Sequence, residues 1–502
     1  QYRKAMAVRT LVEGFLGMDL WTLSESLLTE LAVGLYPQDG EDPAPVLIAR
    51  MGDLATWATV RERLDPILVL ADEKVERETR GELEYLKLEE LSLVFHKEWL
   101  VASTKADLLE SAVAGLTGKG KGGLSGNASF KKMEEVMGAK GMLRVWADLA
   151  AFRGFTGERM NVPEKYDDSF AALMFSGIIE LGLKSDFLGL AFDVDEGGMK
   201  LTSFIDGDTE ELDDKFSWFF SDANTPGTQD LPAVKGLMGG LTIHRDVASW
   251  YDKREDLLEE KLLPEFDKFE SGVGNLFPGR SVAKDVIPTF GKSFTLLAAE
   301  QTFEHLDGAE PGIKLPGFAL IFELNKPEDA NMFQLVFQTV VTILNFAGAE
   351  EGKMMRGPSV MTAVVHEGTP ISTIQMLQKP KGDRLHVSYN FMPSSATVNG
   401  RFVFSSSLSL CKALVDELKK PKNTERANRN FHFELHPNAL LPLVKANRRA
   451  LLAQSIQEGK TVEEARGEID LLQTVLSYLK LIRLETSVKE KGFQIELIGD
   501  WN

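Results

Sequence analysis

The chain has 502 residues, of which 43% are hydrophobic and 26% charged, a composition typical of a folded soluble protein with a sizeable core. At about 100–200 residues per domain this length predicts two to four domains. The formal net charge of −19 argues against binding to nucleic acid, and the single cysteine, Cys411, excludes an intramolecular disulfide.

No segment predicts a transmembrane helix. The most apolar stretch, 332–349, is interrupted by five polar residues, whereas a span needs about 20 mostly apolar ones. We therefore predict a buried core helix there. The sequence has no signal peptide and starts at Gln1 within a predicted helix, which is consistent with a processed product.

In chain order, the first predicted elements are a strand at 46–49 followed by a helix around Trp57. A similar pair, a strand at 318–324 and a helix around Phe333, occurs later in the chain. This recurrence is weak by itself, but other pairs follow it in the same order.

The next pair is a strand that runs directly into a helix. A predicted strand at 99–104 precedes an amphipathic helix at 105–116, and a strand at 402–407 precedes a helix at 408–418. At an offset of 302, Ser103 matches Ser405 and the apolar helix positions coincide. Because Ser and Thr favour the first position of a helix, we expect these hydroxyls to cap both helices.

Two further pairs complete the recurrence. Predicted strands at 142–148 and 430–436 each precede a helix, and predicted hairpins at 188–201 and 482–495 alternate apolar residues around a glycine turn. The pattern predicts an α+β protein with antiparallel sheet, built from two tandem copies of one unit.

The copies are unequal in length. We predict the first copy at residues 1–215, a linker at 216–230 and the second copy at 231–502. An acidic run at 206–214 and a turn at 225–228 indicate a surface connection. The second copy opens with a strand at 241–244 and a helical run at 250–269 that the first copy lacks, so we expect the chain to begin inside copy one.

These patterns together resemble a bacterial family of unknown function, made of exported or lipid-anchored proteins with duplicated α+β units. The resemblance covers most of the chain and rests on residues 99–116, the glycine-rich loop leading to Ser129 and Phe130, and segments 142–148, 188–201 and 285–297. It implies a location in the periplasm or on the outer surface. It implies no activity, cofactor or catalytic residue.

One strand presents a candidate metal site. His432, Glu434 and His436 alternate along the predicted strand and would therefore share one face, as two imidazoles and a carboxylate do in metal sites. The alternative is an ordinary strand in which Phe431 and its apolar neighbours fill the core and the polar residues face water. The ends of such a triplet lie about 13 Å apart, too far to share an ion without a bend.

Other chemical patterns have simpler interpretations. The sequence His244-Arg245-Asp246 reads as a strand that ends in a helix cap, and Ser405 to Ser407 lack the setting of a catalytic serine. Cys411 falls on the apolar side of its predicted helix and is expected in the core. The glycines at 118–126 do not follow a phosphate-loop pattern.

Three hypotheses for function follow. The first is an exported, non-enzymatic binding or scaffolding protein of the cell envelope, with a protein or an apolar ligand as partner and no cofactor. The second is a structural subunit of a larger assembly, which could include an oligomer of this chain. Strand edges left open in copy one would pair with a strand of another chain. The third is a hydrolase in the cleft between the copies, whose candidate residues are His244, His305, His366 and His386.

Overall fold

A computed structural model describes most of the chain. The described residues are 29–38, 41–53, 55, 58, 76–88, 91–120, 123–138, 141–156, 164–221, 227–350, 359–376, 382, 384–420 and 428–502. The helix predicted around Trp57 lies outside them. The chain divides into two compact units, residues 1–136 with 150–160, and residues 137–149 with 161–502.

The smaller unit contains a six-stranded antiparallel sheet in the order β1-β2-β6-β5-β4-β3. Its strands are β1 (Glu30–Gln38), β2 (Glu41–Arg50), β3 (Glu76–Arg80), β4 (Leu83–Lys87), β5 (Ser92–His96) and β6 (Trp99–Ser103). Helix α1 (Ala106–Leu116) follows β6 and packs Leu109 and Val113 against Val46, Val94 and Val101 of the sheet. Helix α2 (Ala128–Met137) comes next, and α3 (Leu149–Thr156) follows the strand 143–148.

The larger unit is built on a thirteen-stranded antiparallel sheet in the order β14-β15-β17-β18-β13-β11-β10-β19-β20-β21-β9-β8-β7. The strands are β7 (Leu143–Asp148), β8 (Phe187–Val194), β9 (Gly198–Asp206), β10 (Leu237–His244), β11 (Phe290–Ala299), β13 (Gly317–Leu324), β14 (Ser359–His366), β15 (Thr369–Met376), β17 (Ser394–Val398), β18 (Arg401–Ser405), β19 (Arg429–Leu435), β20 (Leu479–Lys489) and β21 (Gly492–Trp501). Two short strands, β12 (Glu310–Pro311) and β16 (Arg384–Leu385), pair separately in parallel.

Nine helices accompany this sheet among the described residues. They are α4 (Ser169–Lys184), α5 (Val247–Asp252), α6 (Arg254–Leu257), α7 (Leu263–Gly274), α8 (Ala330–Glu350), α9 (Leu408–Lys419), α10 (Leu441–Ala446), α11 (Arg448–Gln457) and α12 (Val462–Tyr478). None of the described helices is long and apolar enough to cross a membrane.

The two faces of the sheet are covered differently. We call the face that carries Ile321 the first face and the face that carries Phe322 the second face. On the first face α9 packs Cys411 and Val415 against Ile321. On the second face Phe333 of α8 packs on Phe322 in a cluster of aromatic rings. Because side chains alternate along each strand, the sheet contributes residues to two separate hydrophobic cores, one on each face.

The α+β class and the antiparallel sheet are confirmed. Both predicted hairpins form, as β8 with β9 and β20 with β21. Cys411 is fully buried, as expected, and burial raises the pKa of its thiol to about 12. The strand at 237–244 ends at His244, and the carboxylate of Asp246 caps α5 by accepting from the Ser249 N–H.

The expected hydroxyl caps are wrong. Neither α1 nor α9 has a side-chain cap hydrogen bond. The Ser103 hydroxyl instead accepts from the Lys105 N–H at 3.2 Å and donates to the Pro45 carbonyl at 2.9 Å. The hydroxyl oxygen accepts a hydrogen bond within a local turn, and its proton bonds to the neighbouring strand. The hydroxyl therefore links two strands and does not cap the helix.

The expectation of a surface connection at 206–231 holds for the acidic run, where Glu210, Glu211, Asp213 and Asp214 are exposed, but it is wrong for the aromatic run that follows. Trp218 and Phe219 are buried against Leu257 and Phe493, and Thr228 is fully buried. The aromatic run that follows the acidic stretch contributes to the core of the larger unit. The boundary at 216–230 itself stays a prediction.

Truncation of the core under α9 is expected to destabilise the larger unit. Leu414 is completely buried, so Leu414→Ala should lower the free energy of unfolding by about 3 kcal/mol through lost contacts and a residual cavity. Urea denaturation followed by tryptophan fluorescence measures this change. The control Leu471→Ala, on an exposed position of α12, should change it by less than about 0.5 kcal/mol. Equal effects would contradict the assignment of α9 to the core.

Candidate functional site

A row of directly opposed residues crosses the first face of the thirteen-stranded sheet. From β14 to β7 it reads Val364, Ile371, Ala396, Val403, Ile321, Thr295, Thr242, His432, Glu485, Glu496, Thr202, Ala191 and Arg144. The row is apolar beneath α9 and becomes polar at Thr295. Its centre therefore places the polar side chains of Thr295, Thr242 and His432 in a buried part of the sheet.

His432 lies at the centre of this row and is only 3% exposed. Its Nδ1 is 2.8 Å from Oε1 of Glu485, directly opposite on β20, and its Nε2 is 3.4 Å from Oε1 of Glu434. Arg429 donates to Glu485 at 3.1 Å, and Arg483 donates to Glu434 at 3.0 Å. A buried imidazole is thus held between two carboxylates, each of which is also paired with an arginine.

These contacts set the protonation of the cluster. Burial acts to lower the pKa of His432, but hydrogen bonds with Glu434 and Glu485 outweigh it and raise that pKa above its usual value. The hydrogen bond from His432 lowers the pKa of each carboxyl group to about 2. Both carboxylates are therefore charged at neutral pH, and they favour the imidazolium form.

A segment at residues 227–236, which we call the covering segment, lies over this part of the sheet. Its Thr228 N–H donates to the Arg429 carbonyl at 2.7 Å, and its Asp230 forms an ion pair with the Arg429 guanidinium. A Cβ atom at Gly227 would lie 1.9 Å from the carbonyl oxygen of Arg429. Glycine is therefore required at 227, since any side chain would push the covering segment off β19.

The structure brings all three predicted metal ligands together, with Glu434 between the two histidines. His432 and His436 each lie 3.4 Å from a different oxygen of Glu434. The backbone leaves the strand at His436, where a short helical turn begins. Among the described residues, no group of three or more His, Cys, Asp or Glu side chains is arranged to hold a metal ion. Metal binding stays a prediction, and direct metal analysis of the purified protein would test it.

The alternative that placed His432 on the wet face is wrong. His432 is buried, whereas Phe431 and Phe433 on the opposite face are only partly buried. Strand alternation correctly predicted which residues share a face. It could not predict which face is covered, because the covering segment comes from a distant part of the chain.

A small cleft of about 20 Å³ lies beside the covering segment. Glu323 and Arg401, opposite each other on β13 and β18, line it together with Ser293, and Gln229 donates a hydrogen bond to Glu323. Pockets for small molecules usually measure about 300–1,000 Å³. Its size does not favour this cleft as a ligand site.

The histidines proposed for hydrolysis lie in four different elements. His244 is buried at the end of β10, and His305 sits in a short helical turn. His386 contacts Ser388 at 3.0 Å on an exposed turn, and His366 lies 2.8 Å from Asp416 of α9. A histidine–carboxylate pair needs an adjacent nucleophile or water site to hydrolyse a bond. The described contacts of His366 include no such group, so a hydrolase stays a prediction.

The second face carries a surface that the sequence patterns did not reveal. One row of directly opposed residues on ten neighbouring strands is entirely leucine and phenylalanine. From β18 to β7 it reads Phe404, Leu320, Leu296, Leu241, Phe433, Leu484, Leu497, Leu201, Phe192 and Leu143. We call this row the apolar band.

The apolar band is accessible to solvent along its whole length. Phe404, Leu320, Leu296 and Leu143 are 39–53% exposed, and the six residues between are partly exposed. Phe318 and Met199, in the adjoining row, are also exposed. The sequence did contain one signal for this surface, since strands such as 431–435 place apolar residues on one face and charged residues on the other. Only the pairing order of the strands, however, aligns these apolar residues into one surface.

The histidine cluster should stabilise the fold more strongly at low pH. A raised pKa in the folded state contributes stability that is complete below the unfolded pKa of about 6.5 and is lost as the pH rises through the folded pKa. We therefore expect His432→Asn to cost more free energy of unfolding at pH 5.5 than at pH 9. Urea denaturation of wild type and variant at both pH values measures this difference. An equal or larger cost at pH 9 would contradict the arrangement.

Comparison with known proteins gives no guidance on this site. No protein family model, curated protein or solved structure matches the chain. The geometry therefore carries the functional argument alone: a paired, covered histidine cluster on one face and an uncovered apolar band on the other.

Proposed function

We propose that this chain is a non-enzymatic binding or scaffolding protein of the bacterial cell envelope, and that the apolar band is its binding surface. The observation that carries the proposal is the unbroken run of ten exposed or partly exposed leucine and phenylalanine side chains. Contiguous apolar surface of this kind on a folded protein marks sites that bind an apolar ligand or a partner protein.

The distribution of charge supports binding over catalysis. The ionisable groups around His432 are paired with each other beneath the covering segment, so they serve the packing of the first face. The apolar band lies on the opposite face and contains no ionisable side chain. An apolar ligand, or the apolar side of a partner helix, suits a surface that offers contact area without charge.

The envelope location rests on the resemblance to exported and lipid-anchored bacterial proteins. That resemblance includes a duplicated unit, and we propose that this chain is duplicated in the same way. The order β1-β2-β6-β5-β4-β3 in the smaller unit corresponds, strand for strand along the chain, to β11-β13-β18-β17-β15-β14 in the larger one. Helices α1 and α9 follow equivalent strands, and β7, β8 and β9 correspond to β19, β20 and β21.

Matching hydrogen bonds support the duplication at the level of single atoms. The hydroxyls of Ser103 and Ser405 each accept from the N–H two residues later, at 3.2 Å in both cases. Each hydroxyl also lies near a carbonyl of the neighbouring strand, Ser103 at 2.9 Å from that of Pro45 and Ser405 at 3.3 Å from that of Phe318, and Ser405 is also 2.9 Å from the Ser407 carbonyl. An offset of 302 for the serines, with equivalent acceptors, is what two copies of one unit would give.

Polar substitution in the apolar band should reduce binding of an apolar probe. We choose Nile red, an uncharged dye, because the net charge of −19 would repel an anionic one. The double variant Leu296→Ser/Leu320→Ser should lower the dye's fluorescence enhancement at least threefold, since it interrupts the band at two adjacent strands. Fluorescence titration with the purified chain measures the change.

The matched control is Leu471→Ser/Leu335→Ser, two exposed leucines on helices α12 and α8. It removes the same number of apolar side chains away from the band and should leave dye binding unchanged. Equal losses in the two double variants would overturn the apolar band as a binding surface. Recovery of no lipid or protein from envelope extract by the wild-type chain would count against the envelope role.

A further inference from the structure

Within the part of the chain that the structure describes, strand β1 forms one edge of the six-stranded sheet and pairs with β2. Its Leu31, Val33 and Leu35 side chains share one face and are 55%, 60% and 69% exposed. Charged residues and proline commonly protect sheet edges, and here Glu30 and Pro37 stand near the two ends of the strand, so residues 31–35 between them carry neither. An exposed apolar edge of nine residues is a template for another strand.

The hydrogen-bonding direction of β1 follows from its neighbours. The Met51 N–H donates to the Glu98 carbonyl, so odd-numbered residues of β2 turn their backbone groups toward β6 and even-numbered ones toward β1. In an antiparallel ladder the even-numbered residues of β1 therefore bond to β2. The N–H and C=O groups of Leu31, Val33 and Leu35 point toward the open edge.

The corresponding strand in the larger unit is paired on both sides. β11 lies between β13, the counterpart of β2, and β10. Val46 pairs with Ser103 as Ala319 pairs with Ser405, which fixes the correspondence of the two registers. Through β2 and β13, Val33 then takes the place of Leu296, and Leu31 the place of Phe294.

We propose that the open edge of β1 binds an extended polypeptide strand, supplied by another molecule, in the position that β10 occupies beside β11. This inference rests on the duplication proposed above. The incoming strand runs antiparallel to β1, and main-chain hydrogen bonds to Leu31, Val33 and Leu35 hold it.

The side chains of β10 describe the partner that this edge accepts. Leu241 and Ile243 lie directly opposite Leu296 and Phe294, so the matching strand places apolar side chains beside Val33 and Leu31. Gly240 lies opposite Leu297, the counterpart of Gly34. The partner is therefore a segment of about eight residues, apolar at alternate positions on one face and small or hydroxyl-bearing on the other.

Binding of a synthetic strand to the full chain tests the proposal. The probe is a fluorescein-labelled peptide with the sequence of residues 236–245, and fluorescence anisotropy measures its binding. We expect saturable binding, and at least tenfold weaker binding to Val33→Pro, because proline removes one outward N–H while the bonds of β1 to β2 remain. Hydrogen exchange at Leu31, Val33 and Leu35 should slow when the peptide binds.

The controls separate this edge from others. Val365→Pro places a proline in β14, the strand at one end of the larger sheet, and should leave peptide binding unchanged. No binding of the peptide, equal binding of a scrambled peptide, or equal loss in the two proline variants would overturn the proposal. Retained Nile red binding in Val33→Pro, with lost peptide binding, distinguishes this edge from the apolar band, so each proposal can fail without the other.

Discussion

Nine residues of β9 pair in continuous antiparallel register with nine residues of β21, although the two strands lie about 300 positions apart in the chain. This ladder joins the hairpin β8–β9 to the hairpin β20–β21, and without it the thirteen-stranded sheet would be two separate sheets. Because side chains alternate between faces, a shift of one residue here would move every side chain of one hairpin to the wrong face. The apolar band depends on this register, because it crosses the ladder from Leu497 to Leu201.

The first face shows how such a sheet accommodates charge in its interior. His432 and its two carboxylates lose water when the covering segment packs over β19, and unpaired they would destabilise the fold. Their mutual hydrogen bonds, together with Arg429 and Arg483, compensate for that loss. The covering segment depends in turn on Gly227, whose missing side chain lets two backbones approach closely.

The second face carries apolar side chains that are only partly covered, in contrast to the buried and paired charges of the first face. Helix α8 covers the phenylalanines at one side of the sheet, while the apolar band beside them remains accessible. Ten aligned apolar residues in contact with water have an unfavourable free energy of solvation. Binding of an apolar partner would remove that surface from water and make the free energy more favourable. The edge of β1 has the same character, since no described strand pairs with its outer side and its apolar side chains are exposed. We propose both as binding surfaces, and surfaces of these two kinds would suit a scaffold better than a catalyst.

The sequence by itself determined the local elements. Period-two alternation predicted the hairpins β8–β9 and β20–β21, and helical spacing predicted α1 and α9. The mixture of hairpins and helices predicted the α+β class. Each of these patterns depends on neighbours within a few residues. Alternation also placed His432 and Glu434 on one face, but not which face is buried. Only the tertiary structure decided that, because the covering segment reaches β19 from about 200 residues away in sequence. The apolar band was likewise invisible in the sequence, since its ten residues come from ten strands and only the pairing order aligns them.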